Sequence, residues 1–242
     1  MKWKEILTKT IWPTTKCVIC GGKSEKLYPG LCADCLRRMA EHREKEVFCS
    51  RCGSFYSVNF RNCPRCYLDP PKFPRRGGLF CGVVYDEDSS VLVKKLKYNN
   101  RRDVAETMAK LFFRYGEIEC DFDVVTAVPL HKERKRERGY NQSEVFARLV
   151  AQGMGLPYEE LLIRTKNTVS QTKLPYHQRL HNMEGAFSVI DVEQVKDKRI
   201  LLVDDVVTTG TTSLECASTL KRVGAKVVGI AAFAAGRAKE SD

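Results

Sequence analysis

Two adjacent carboxylates, Asp204 and Asp205, close the short apolar run Ile200-Leu201-Leu202-Val203 and precede Thr208, Thr209, Gly210, Thr211 and Thr212. Acids at a strand end are unsuited to touch phosphate but accept hydrogen bonds from vicinal sugar hydroxyls. Threonine hydroxyls and backbone N–H groups at the start of a helix have the opposite preference, because the positive end of the helix favours an anion. Gly210 lets the chain approach a ligand closely and take a positive φ. The combination describes a sugar-phosphate site. It is not a P-loop, since no lysine follows the glycine. An ordinary capped helix behind an acidic strand end would have needed only one Asp and one Thr.

A second chemistry lies at the other end of the chain. Eight of the 11 cysteines form four CxxC pairs: Cys17/Cys20, Cys32/Cys35, Cys49/Cys52 and Cys63/Cys66. Each pair presents two thiolates to one tetrahedral metal, and two pairs about a dozen residues apart complete a four-sulfur zinc site. Disulfides do not suit a chain without a secretion signal, and redox CxxC motifs need no four copies. Two structural zinc ions are expected. The spacing leaves open whether the pairs combine in order or alternate; the sequential arrangement is favoured. Apolar residues are thin in this stretch, so the metal is expected to supply most of its folding energy. Cys81, Cys120 and Cys216 stand alone and read as small core residues.

The elements that must position these groups follow from pattern. Residues 1–67 form the cysteine-rich module, and 68–78, "LDPPKFPRRGG", is a linker by its Pro, Gly and basic content. From 79 to 242 strands alternate with helices. "LFCGVVY", "FDVVTAVPL", "RILLVDD" and "AKVVGIAAFAA" are strands; "SSVLVKKLKY", "VAETMAKLFFRYG", 141–153 and 211–223 are helices. On 141–153, Val145, Leu149 and Gln152 fall roughly in line; on 211–223, Leu214, Ala217, Leu220 and Val223 share a face. The alternation predicts an α/β domain with a mostly parallel sheet. Ligands of such sheets bind beyond the carboxyl ends of the strands, where Asp205 and Pro129 both fall.

Composition narrows the partners. Lys and Arg number 41 against 30 Asp and Glu, a net charge of +11, which favours an anionic partner without choosing among nucleic acid, phosphometabolite and membrane surface. The first 15 residues carry Lys2, Lys4 and Lys9 but no apolar core of about 7 residues, so no secretion signal is read. No run approaches the roughly 18 apolar residues of a membrane span. A cytoplasmic protein is expected.

The segment from Ile200 to Thr212 resembles the phosphoribosyl pyrophosphate (PRPP) signature of type I phosphoribosyltransferases. From about Cys17 to Ala232 the chain resembles the ComF family of bacterial competence proteins, of the ComFC type: four CxxC pairs, then "LKY" (96–98), "RGYNQ" (138–142), "SQTKL" (170–174), "RLHN" (179–182) and "GAF" (185–187) in the family's order. The resemblance implies a type I phosphoribosyltransferase fold behind a double zinc ribbon. It further implies that Asp204 and Asp205 are catalytic residues whose carboxylates hold the ribose hydroxyls, and that Thr208, Thr209, Gly210, Thr211 and Thr212 wrap the 5′-phosphate. Pro129, Leu130, His131 and Lys132 take the pyrophosphate-loop position, and Arg134, Lys135, Arg136, Arg138 and Gly139 would neutralise diphosphate. "TKNTVSQTKL" (165–174) sits where the superfamily keeps a mobile loop, with Gln171, Lys173 and Arg179 as its candidates; His177 and His181 read as surface or packing residues. Mg2+ accompanies PRPP in such sites, and the chemistry is departure of pyrophosphate from the anomeric carbon. Two functions follow: transfer of phosphoribose to an unidentified acceptor, or a single-stranded DNA-associated role in DNA uptake with PRPP as regulator. The ribbons, "PRRGG" and the basic run "HKERKRER" support the second. DNA-uptake proteins, including the family's helicase, are the implied protein partners.

Overall fold

The computed structural model describes residues 16–68, 77–99, 101–118, 120–166 and 185–238. The cysteine-rich part comprises α1 (Ala33–Glu44), the antiparallel hairpin β1 (Glu46–Cys49) and β2 (Ser54–Ser57), and the short α2 (Pro64–Leu68). There follow β3 (Leu79–Val84), α3 (Glu87–Tyr98), α4 (Asp103–Tyr115), β4 (Val124–Ala127), α5 (Lys132–Arg138) and α6 (Gln142–Met154). A second antiparallel hairpin, β5 (Leu162–Arg164) and β6 (Phe187–Val189), precedes β7 (Arg199–Val207), α7 (Thr211–Arg222) and β8 (Val227–Ala235).

The central sheet has the order β3-β8-β7-β4, all parallel. Ile200, Leu201, Leu202 and Val203 of β7 are fully buried because helices cover both faces, which is why this strand reads as an unbroken apolar run. Alternation divides them: Leu201 and Val203 face α3, α4, α6 and the first cysteine knuckle, whereas Ile200 and Leu202 face α7 and the β5–β6 hairpin. Each such side chain contributes on the order of 1.5–3 kcal/mol by leaving water.

Local signals set the helix ends. Asp86 and Ser89 form a reciprocal capping box on α3, which satisfies N–H groups the first turn leaves open. Asn141 caps α6 by accepting from Ser143 N. The buried face of α6 is Phe146, Ala147, Val150 and Ala151. The stripe expected from the sequence, Val145, Leu149 and Gln152, is instead half-buried or exposed. Both stripes keep helical spacing, and the choice between them falls to the larger ring of Phe146, which meets Phe112 and Phe233 edge to face.

The cysteine-rich part is not hung from the sheet by a tether alone. Leu31 and Met39 join Cys17, Cys32 and Cys35 in the apolar cluster of α3, α4 and α6. Thr107 donates to Pro29 O at 2.8 Å and Lys110 to Leu27 O at 2.6 Å. Arg38 of α1 clamps Asp88 of α3 through two bonds of 2.6 and 2.8 Å. The first knuckle thus shares the domain's core, an apolar support that its own composition does not reveal. Among the lone cysteines, Cys81 and Cys216 are buried as expected, but Cys120 is exposed.

Candidate functional site

Strand β7 runs on through the two acids to Val207, pairing Val206 and Val207 with Ala234 and Ala235. This is two residues further than the strand "RILLVDD" expected from the sequence, because β8 continues beside it. Asp204 and Asp205 therefore sit on a rigid strand, 9% and 3% exposed. The turn is confined to residues 208–210, and Gly210 takes φ 76° as the N-cap of α7. Gly210 offers no side chain to cap the helix, so its first N–H groups face the turn as an anion site would require. Thr209 and Thr211 hydroxyls lie 3.0 Å apart.

A cleft of about 810 Å³ opens beside the acids, walled by α3, the 128–130 loop, α5, β5 and the start of α7. Of the residues singled out from the sequence, Asp204, Asp205, Thr212, Pro129, Leu130, Arg134 and Arg138 line it. Thr208, Thr209, Gly210 and Thr211 form the turn next to it. His131 is not among the lining residues: it is buried, and Nδ1 accepts from Glu133 N as the cap of α5. Lys132 borders a separate, smaller cavity. Lys135 pairs with Glu144 and Glu160, Arg136 is exposed, and Gly139 ends α5 in the left-handed region. Gln171, Lys173, Arg179, His177 and His181 lie outside the described residues.

Among the further lining residues are Lys97, Glu137, Gln142, Ser143 and Arg164. The signal for two of them was present in "LKY" and "RGYNQ". Leu96 enters the core, Lys97 Nζ reaches Asp205 Oδ2 at 2.5 Å, and the exposed Tyr98 ring lies under the Arg138 guanidinium at 5.2 Å. In the second motif Arg138 donates to Gln142 Oε1, Gly139 ends α5, and the Tyr140 hydroxyl donates to Leu96 O. Asn141 donates to Val128 O at 3.0 Å while capping α6, and Gln142 Nε2 donates to Asp205 Oδ1 at 3.2 Å. Ser143 Oγ donates to Asp204 Oδ1 at 2.9 Å.

The acids are unequal. Burial, and then the charge of Asp205, push Asp204 up to about 7. Asp205 is also penalised by burial, yet the Lys97 ammonium holds it below the ordinary carboxylate range. Burial and the neighbouring Arg134 guanidinium push Arg164 down. Lys97, Arg134, Arg138 and Arg164 thus converge on one cleft, with Asp204, Asp205 and Glu137 as its acids, an excess of positive groups around the turn that suits an anionic ligand.

In the cysteine-rich part, Cys17, Cys20, Cys32 and Cys35 form one cluster and Cys49, Cys52, Cys63 and Cys66 the other, sulfurs within 4.8 Å of one another. The pairs combine in sequence order. Closest approaches are 3.5 Å for Cys20–Cys32, Cys49–Cys66 and Cys52–Cys63. Sulfurs bound at about 2.3 Å around a tetrahedral zinc stand about 3.8 Å apart, so both four-thiol sets are compatible with structural zinc. A further contact joins the second cluster to the site: Arg65, between Cys63 and Cys66, points Nη1 at Thr208 O at 3.5 Å and donates to Ser54 Oγ at 2.6 Å.

A parallel sheet, strand-end acids and a Thr/Gly turn into a helix define a type I phosphoribosyltransferase fold. The family model "Phosphoribosyl transferase domain" matches residues 141–242. DNA utilization protein YhgH of Salmonella typhimurium is 30% identical over 82% of this chain and 87% of its own. Competence protein F of Haemophilus influenzae is 26% identical over 88% of this chain and 93% of its own. The chain belongs to the ComF family. A glutamine PRPP amidotransferase structure from B. subtilis overlaps 58% of this chain and 30% of its own, at 23% identity and a TM-score of 0.38.

Proposed function

We propose that this protein binds PRPP in the cleft beside β7 and acts in the uptake or use of DNA. The observation that carries the first part is the convergence of two buried acids, a glycine-opened helix start and four cations on one cleft. The acids would take the ribose hydroxyls, the 208–212 turn the 5′-phosphate, and Arg134, Arg138 and Arg164 the diphosphate. Gln171, Lys173 and Arg179 belong to the segment between β5 and β6 and are retained as candidates for covering the bound ligand. Magnesium, which the fold class implies, would be held mainly by the ligand's own oxygens and water; when bound it would stabilise the departing diphosphate. Transfer to an acceptor is one use of such a site, and sensing of PRPP is the other.

The DNA role rests on the names of the relatives, Competence protein F and DNA utilization protein YhgH, together with the net charge of +11. Single-stranded DNA and DNA-uptake proteins, including the family's helicase, are the proposed macromolecular partners. The proposed organisation is a double zinc ribbon with two zinc ions over residues 1–67, a linker at 68–78 and the phosphoribosyltransferase domain at 79–242. No described helix is long and apolar enough to cross a membrane, and a cytoplasmic location is proposed.

Titration of magnesium-PRPP into the zinc-loaded protein by calorimetry tests the reading. Binding to the wild type that disappears in an Asp204→Asn/Asp205→Asn variant supports it. Absence of binding to the wild type overturns it.

A further inference from the structure

The acid pair does not meet the cleft as two open carboxylates. Lys97 Nζ lies 2.5 Å from Asp205 Oδ2, with side chains 24% and 4% exposed. The contact is a charge-assisted ion pair in the cleft wall. The other oxygen already accepts from Gln142 and Ser143. The helix that carries Lys97 is held at both ends. Its capping box and the Arg38–Asp88 clamp fix the start, and the Tyr140 hydroxyl bonds Leu96 O at the finish. Leu92, Val93 and Leu96 are buried in the core.

Lys97 and Arg138 line the same cleft; Asp205 already favours the Lys97 ammonium, and an anion entering the cleft would meet both cations. A hydrated divalent ion, in contrast, seeks ionised carboxylates. Here Asp205 already has a cation in contact, and Asp204 resists ionisation through burial beside it. The place a divalent ion would take against the strand-end acids is occupied by a cation belonging to the chain.

We propose that Lys97 is a built-in counter-ion that bridges Asp205 and the diphosphate of the bound ligand, so that PRPP binds this cleft with little need for a divalent metal. This deepens the PRPP reading above and rests on it. Lys97 is a binding residue on this account, and the arginines complete the diphosphate site.

The test is calorimetric titration of PRPP into the zinc-loaded full chain, in resin-treated magnesium-free buffer and in millimolar magnesium, with zinc content checked after each run. Wild-type affinity is expected to differ by less than about tenfold between the two buffers. Lys97→Met should lose more than about tenfold in magnesium-free buffer, the loss of one charge-assisted contact, and less in magnesium. Lys97→Arg should keep metal-free binding. Wild-type binding that exists only with magnesium overturns the proposal while leaving the PRPP reading intact, and needs no variant. Equal magnesium dependence in wild type and a zinc-loaded, folded Lys97→Met also overturns it. No binding in either buffer overturns both.

Discussion

The two four-cysteine knuckles are alike in chemistry and different in mechanics. In the first, Cys17, Cys32 and Cys35 lie in the same apolar cluster as Leu96, Val104, Met108 and Phe112. The second rides on the β1–β2 hairpin, where Val47, Val58 and Phe60 are exposed. It reaches the sheet through Phe55, whose backbone bonds Gly236 O and accepts from Ala238 N, and through Arg65 at Thr208. One ligand set can therefore serve as part of a core or as a clip upon it. The first knuckle braces α3 and hence Lys97, since Arg38 touches both Cys35 Sγ and Asp88; the second touches the turn after β7.

The largest expected effect comes from removing one ligand in each. Zinc coordination of this kind is worth on the order of 10 kcal/mol, so Cys35→Ser should lose one zinc and the cooperative thermal transition. Cys52→Ser should lose one zinc but keep a cooperative transition from the sheet. Metal analysis beside calorimetric melting checks both, and indistinguishable melts would break the comparison. Next in size, Phe55→Ala should cost about 3–5 kcal/mol in denaturant unfolding, because that ring is fully buried where the second knuckle meets β3 and β8. Arg38→Ala leaves the buried Asp88 carboxylate without its clamp and should cost about 1–3 kcal/mol. If the brace reaches Lys97, this variant also weakens PRPP binding in magnesium-free buffer, which a purely local loss would not.

The acids at the far end of α3 add a pH signature. Asp204 is raised to about 7, so between the ordinary carboxyl range near 4 and about pH 7 the folded ligand-free protein holds a proton that the unfolded chain releases. Stability should fall as pH rises through that window. Asp204→Asn should flatten the slope, readable in urea midpoints across the range. The smallest effect belongs to the second knuckle: Arg65→Ala should weaken PRPP binding by about two- to tenfold, the loss of one contact to the turn. A larger loss would make the second ribbon a direct part of the phosphate site.

Much of this is legible in the sequence. Four CxxC pairs are local signals, and sequential pairing keeps each metal loop short. β7 and the turn after it are legible because a strand covered on both faces must be apolar and a glycine at positive φ is hard to replace. The helical face of α6 was misread because two stripes share its period and only the neighbours Phe112 and Phe233 choose between them. His131 caps α5, and a helix-capping histidine and a binding histidine look the same in one dimension. The short β5–β6 hairpin has too few residues to display a period.

By itself, then, the sequence determined the metal-binding clusters, the parallel sheet and the acid-threonine turn, since each depends on residues near one another in the chain. Only the tertiary structure decided that Lys97 on α3, Gln142 and Ser143 on α6, and Asp204 and Asp205 on β7 would meet. Those contacts arise from helices packing on one face of a common strand, and no local spacing encodes which charged side chain will end beside which acid.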